Sequence, residues 1–115
     1  MDGLVEGGAS LDALGGAVRD VGADDTAFAH RDALATVQYT ATWADGGAEA
    51  TPYDRFVRGL RRTMQPAWGD GAYVNYADPS LDDPARAYFG DHAERLHRVR
   101  TEVDPHGLLS QPQAP

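Results

Sequence analysis

From Thr36 to Trp43 the chain alternates without a break. Thr36, Gln38, Thr40 and Thr42 are polar; Val37, Tyr39, Ala41 and Trp43, which come after each of them in turn, are apolar. Successive side chains point to opposite faces of a strand, so this pattern describes a half-buried β-strand over 33–43. Its apolar face must be covered by another element. Its polar face, hydroxyl after hydroxyl with one carboxamide, is left to meet solvent or a ligand. A fold built on such a strand needs a sheet, and a layer packed on one side of it.

The remaining segments supply candidates for both. Pro52 to Pro66 reads as a helix, with Thr51 as its cap and proline at its first position. Tyr53, Phe56, Val57, Leu60 and Met64 form its apolar stripe, while Arg55, Arg58, Arg61 and Arg62 occupy the rest as a solvated face. Residues 1–9 are glycine-rich and are expected to fray. Ser10 reads as the cap of a short helix that Gly15 and Gly16 stop. Ala17 to Val21 reads as a short strand, Gly22 to Asp25 as a turn, and Asp45-Gly46-Gly47 as the end of the central strand. Tyr73 to Asp78 reads as a third strand. Pro84 opens a second helical region that runs past a break at Gly90 to Val103, with Leu96 and Val99 turned inward beside Tyr88, His92 and Val103. Asp104-Pro105 ends it, because the residue before proline avoids helical geometry. The expected class is α+β: a small antiparallel or mixed sheet of about three strands, with helices on one face. The expected divisions are 1–9, 10–70 and 71–115.

Composition narrows the functions. The chain has 115 residues, ten arginines, no lysine and a net charge of −8. One domain suits that length. The acidity argues against nucleic acid or an anionic membrane as partner. The absence of cysteine excludes disulfides and thiolate chemistry. No run of 18 apolar residues is present, and the N-terminus lacks a secretory layout, which points to the cytoplasm. His92 and His97 are spaced poorly for sharing a helix face, so no metal site is expected with Glu94. His30-Arg31 reads as a structural corner, His30 bonding backbone and Arg31 pairing with Asp32.

Tyr73-Val74-Asn75-Tyr76-Ala77-Asp78 carries the most chemistry. On a strand Tyr73 and Asn75 would share a face and Tyr76 would point the other way. Such a segment can press polar groups against a planar ligand and offer a phenol nearby. Taken alone it is also ordinary sheet composition, since tyrosine and valine favour strands.

The residues on either side of this segment give it weight. Tyr88-Phe89-Gly90-Asp91-His92, Arg95-Leu96, Val99-Arg100, Asp104-Pro105 and Pro112-Gln113 come after it in order. Gly15-Gly16-Ala17, Thr26-Ala27-Phe28, His30-Arg31, Gln38-Tyr39 and Trp43 precede it. This series, over residues 14–113, resembles the C-terminal segment of the berberine-bridge-enzyme-like FAD-linked oxidases. The resemblance implies a flavin enzyme, with this chain as the end of its substrate domain plus a segment that closes over the flavin. The family's FAD-binding domain, with its glycine-rich pyrophosphate loop, has no counterpart here. The implied chain is therefore an incomplete substrate domain whose FAD is held mainly by another domain or subunit.

Carried over position by position, Tyr76 matches a phenol that takes the proton of the substrate hydroxyl. Tyr73 and Asn75 match groups that hydrogen-bond the flavin ring. Thr36 and Gln38 match the substrate-facing strand; Thr36 cannot act as a base as a carboxylate would, so the implied catalysis leans on Tyr76, with Gln38 for orientation. The family favours Asn and then an aromatic after Asp-Pro; here Gly107, Leu108 and Leu109 stand instead, and His92 replaces a usual Asn. The implied partners are an FAD-binding domain or subunit and a small-molecule donor. The competing reading is a non-catalytic small α+β module, either a remnant or a homodimer that buries an exposed sheet face.

Overall fold

The alternating segment folds as expected, and it finds its partner where fraying was expected. In a computed structural model that describes residues 3–44 and 49–109, β1 (Leu4–Ala13) and β2 (Ala35–Trp43) form an antiparallel two-stranded sheet. The register pairs Ser10 with Gln38, Leu11 with Val37 and Ala9 with Tyr39. Near the start of β1, Leu4 faces Trp43 and Glu6 faces Thr42, so Val5 is an extra residue, a bulge that restores the alternation. Glu6, Ser10 and Asp12 thereby join the polar face of Gln38 and the threonines. Gly7, Ala9 and Leu11 join the apolar face of Ala41, Tyr39 and Val37.

The apolar face is covered by α1 (Thr51–Trp68). Tyr53 is its anchor: 2% exposed, it stacks on Trp43 with ring centroids 4.5 Å apart and planes 2° from parallel. Phe56 sits over Gly7, where an added Cβ would lie 3.1 Å from the ring edge. The glycine that suggests disorder in the sequence is what lets helix and sheet approach. Asp54 forms an ion pair with Arg58 one turn on, at 2.7 Å. Thr51 does not cap the helix. Ala50 holds that position without a side-chain bond, and the Thr51 hydroxyl donates to Glu49. The helix also runs past Pro66 to Gly69, which ends it at φ +81 and donates its N–H to the Gln65 carbonyl. The expected turn at Asp45-Gly46-Gly47 lies outside the described residues.

The second compact unit is built from Leu14–Leu34 and Asp70–Pro115; β1, β2 and α1 belong to the first. The chain thus changes unit after Ala13, Leu34 and Gly69. The second unit holds α2 (Pro84–Phe89) and α3 (Ala93–Val103), joined by a 3-10 turn over Gly90–His92. Asp83 caps α2 by accepting the Arg86 N–H at 3.0 Å, and Pro84 stands in its first turn. Ala87 and Tyr88 are the buried residues of this unit among those described.

Several expectations fail here for local reasons. Ala17 to Val21 is no strand: Gly15 and Gly16 take positive φ, and Gly16–Val18 coils into a 3-10 turn. Ser10 caps nothing, because it lies inside β1. Tyr73 to Asp78 is not a third strand. A hydrogen bond from the Tyr76 N–H to the Tyr73 carbonyl, 2.9 Å, folds it into a turn, so the described sheet has two strands rather than three. Val99 and Val103 do not pack inward; both face solvent, Val103 at 74% exposure. Arg31 does not pair with Asp32. It donates to the Val18 carbonyl at 3.2 Å and to Thr26, and lies 4.9 Å over the Phe28 ring. Asp32 lies 3.9 Å from Arg19 instead. Among the described residues no helix is long and apolar enough to cross a membrane.

Candidate functional site

The turn at residues 73–76 gathers three of the four residues that the sequence singled out. An i to i+3 bond reverses the chain within four residues. Tyr73 and Tyr76, which a strand would set on opposite faces, come together at 5.5 Å between ring centroids, edge to face. Asn75 also turns toward Tyr73, its amide nitrogen donating to the Tyr73 hydroxyl at 2.7 Å. The Tyr73 O–H is left to donate elsewhere, and the Asn75 carbonyl to accept. Tyr76 is 53% exposed. The result is a compact polar-aromatic knuckle: a fixed phenol, a carboxamide bonded to it, and a second phenol open to a ligand.

The turn is held from outside itself. Ala72, just before it, accepts a bond from His30 Nε2 at 2.8 Å, while its own N–H donates to the Ala87 carbonyl at 2.8 Å. A carbonyl only accepts, so His30 carries its proton on Nε2. Phe28 packs edge-on against both His30 and Tyr73, at 5.8 and 6.2 Å. Asp78, just after the turn, gives its N–H to the hydroxyl of buried Tyr88 at 2.8 Å. The Asp78 carboxylate accepts from the N–H and the hydroxyl of Ser80, which locks the next bend. The expectation that His30 bonds backbone holds. The sequence placed Tyr88 inward and in the aromatic pair before Gly90, but gave no sign of its bond to the Asp78 N–H.

Gln38 lies in the other compact unit, exposed on the polar face of β2 opposite Ser10. That face is broader than the sequence suggested. Ser10, Asp12 and Glu6 of β1 share it with Thr36, Gln38, Thr40 and Thr42. The signal was present in the sequence, since Glu6, Ser10 and Asp12 alternate with Val5, Gly7, Ala9, Leu11 and Ala13. Paired glycines obscured it.

The chain is similar in sequence to known proteins. The berberine and berberine-like family matches residues 72–114, which begin just ahead of the turn and run through α2 and α3. Over 98 residues the chain is 39% identical to the uncharacterized FAD-linked oxidoreductase YgaK of Bacillus subtilis, covering 84% of this chain and 21% of that protein. It is 36% identical over 107 residues to the FAD-linked oxidoreductase sorD of Penicillium rubens, covering 89% and 22%. It is 31% identical over 102 residues to the glucooligosaccharide oxidase of Sarocladium strictum, covering 81% and 20%. No solved structure matches the chain. These relatives carry the names of FAD-linked oxidoreductases and of an oligosaccharide oxidase. The chain belongs to the berberine-bridge-enzyme-like family, whose C-terminal segment it matches. It spans about a fifth of the length of the curated relatives it matches.

Proposed function

We propose that this chain forms the substrate-side wall of an FAD-linked oxidoreductase that oxidises an alcohol, a sugar or a related C–H donor. The observation that carries this reading is the turn at 73–76, which brings Tyr73, Asn75 and Tyr76 into one cluster with Tyr76 open. These residues fit a flavin ring. A planar heterocycle with carbonyl and ring-nitrogen acceptors calls for a donor and a flat aromatic surface, and the free Tyr73 O–H and the exposed Tyr76 ring supply both. When bound, FAD would supply the hydride acceptor. A domain or subunit beyond this chain would hold most of it.

The chain's own residues would do three things. Tyr73, its hydroxyl fixed by Asn75, would donate to the ring. Tyr76, entering as the phenolate, would take the proton of the donor's hydroxyl and become the phenol as hydride leaves the adjoining carbon. In its own unit, Gln38, with the hydroxyls along its face, would hydrogen-bond a hydroxylated ligand. A surface of threonines, serine and amide suits a polyhydroxylated substrate, because each buried sugar hydroxyl needs a partner. The name of the glucooligosaccharide oxidase relative points the same way.

The test is a graft. Residues 14–113 replace the matched segment of the Sarocladium strictum glucooligosaccharide oxidase, and flavin retention and oligosaccharide oxidation are measured. Tyr76→Phe in the graft should keep the flavin and lose activity by roughly 10²- to 10⁴-fold, the usual worth of a positioned proton acceptor. Unchanged turnover in Tyr76→Phe would remove Tyr76 from the reaction. The open sheet supports a second reading, a non-catalytic module that self-associates: among the described residues neither strand has a second neighbour. A concentration-dependent dimer, with no flavin uptake beside any flavin domain, would favour it.

A further inference from the structure

We propose that His30 and Tyr88 are positioning residues that clamp the Tyr73–Tyr76 turn at its two ends and so fix where the Tyr76 phenol stands. The inference rests on the assignment of Tyr76 above for its meaning, but its geometry stands apart from any flavin. His30 Nε2 holds the Ala72 carbonyl at 2.8 Å, one residue before the turn. The Tyr88 hydroxyl holds the Asp78 N–H at 2.8 Å, two residues after it, and faces the Asp78 carbonyl at 3.5 Å. Both clamps join positions far apart in sequence, 42 and 10 residues. Both bond backbone atoms, so they constrain the path of the chain rather than any one side chain. Each is also anchored: Tyr88 is 2% exposed, and His30 packs edge-on to Phe28, which itself packs on Tyr73.

A surface turn of this kind would otherwise sample several conformations, because a single i to i+3 bond does little against backbone entropy. Anchoring both flanks leaves Tyr76 one average position. A proton acceptor needs that, since its hydroxyl must meet a donor within a few tenths of an ångström.

The experiment uses the whole chain, labelled for NMR, with amide exchange and the Tyr73–Tyr76 ring contact as readouts. Tyr88→Phe keeps the ring in the core and removes only the hydroxyl. His30→Leu removes the donor, and His30→Gln returns an amide donor at similar reach. Tyr88→Phe and His30→Leu should each speed exchange of the Tyr76 and Asp78 amides by roughly tenfold or more and erase the ring contact. His30→Gln should restore much of both. The amides of β2, in the other unit, should keep their exchange rates. Unchanged exchange and an intact ring contact in Tyr88→Phe and His30→Leu would overturn the proposal. So would faster exchange in β2 by the same factor, which would mark the two residues as general stabilisers. Unchanged turnover of Tyr76→Phe in the graft, with the clamp readouts as predicted, would sink the functional reading and leave the clamp standing.

Discussion

Gly7 and Gly8 are neighbours in β1 and face opposite ways, so the same substitution at each should have opposite effects. A Cβ at Gly8 meets nothing within 4 Å, and its partner across the strands is Thr40. Gly8→Thr removes the excess backbone entropy of glycine, worth about 0.5–1 kcal/mol in a strand. It adds a threonine pair worth about 0.2–1 kcal/mol. The net expectation is stabilisation of about 1 kcal/mol. At Gly7 a Cβ lies 3.1 Å from Phe56 Cε1 and 3.5 Å from Leu4 Cδ2. Gly7→Thr gains the same entropy but must push Phe56 off the sheet, an overpacking cost of about 1–3 kcal/mol. It should destabilise the chain by about 1 kcal/mol on balance. Urea unfolding of the two variants should therefore place them about 2 kcal/mol apart, on opposite sides of the parent. If residues 4–13 were frayed, both substitutions would be close to neutral. If the register were slipped by one residue, the signs would exchange. Either result refutes the sheet described above.

The remaining predictions concern other parts of the molecule. Tyr53→Ala removes the anchor between α1 and β2 and should cost about 3–5 kcal/mol in urea unfolding. A double-mutant cycle with Trp43→Ala should assign about 0.5–1.5 kcal/mol of that to the stacked pair, and zero coupling would mean that the rings do not stack. Asp104 holds the bend after α3: its carboxylate accepts the Leu108 and Leu109 N–H groups, each at 2.8 Å. Those bonds, the Leu109 amide first and Leu108 next, hold its carboxyl below the ordinary aspartate value. The folded value lies below the unfolded one, so the bend's contribution is complete above the unfolded value and disappears as pH falls through the folded one. The Leu108 and Leu109 amide shifts should thus titrate together in acid, below the usual aspartate range. In Asp104→Asn they should be flat across that range; titration surviving in the variant would assign it to another group.

The fold was legible wherever side-chain period and burial agree. β2 could be read from Thr36 to Trp43 because its two faces meet different surroundings, solvent on one side and the Tyr53 ring on the other. The stripe of α1 could be read for the same reason. β1 was hidden because Gly7 and Gly8 lower strand propensity, while Gly7 serves the close approach of Phe56, a tertiary reward that no local scale records. The Tyr73–Asp78 segment misled in the opposite sense. Tyrosine and valine favour strands, yet one i to i+3 bond and two side chains remote in sequence, His30 and Tyr88, bend it into a turn. That Tyr73 and Asn75 lie on one side of the segment was legible, though from a strand geometry that the turn replaces. The approach of Tyr76 to Tyr73 was not, because it depends on that turn. Val99 and Val103 fell on what the helical pattern offered as an inward stripe, but α3 has no partner on that side among the described residues.

In the proposed function the 73–76 turn presents Tyr76 to the reacting part of a donor lying on a flavin. The most direct measurement is a crystal structure of the grafted oxidase with flavin and an oligosaccharide bound. The Tyr76 hydroxyl should lie in hydrogen-bond reach of the reacting sugar hydroxyl, about 2.6–3.2 Å, with Tyr73 and Asn75 turned toward the ring. A Tyr76 side chain directed away from both sugar and flavin, in an enzyme that still turns over, would contradict it.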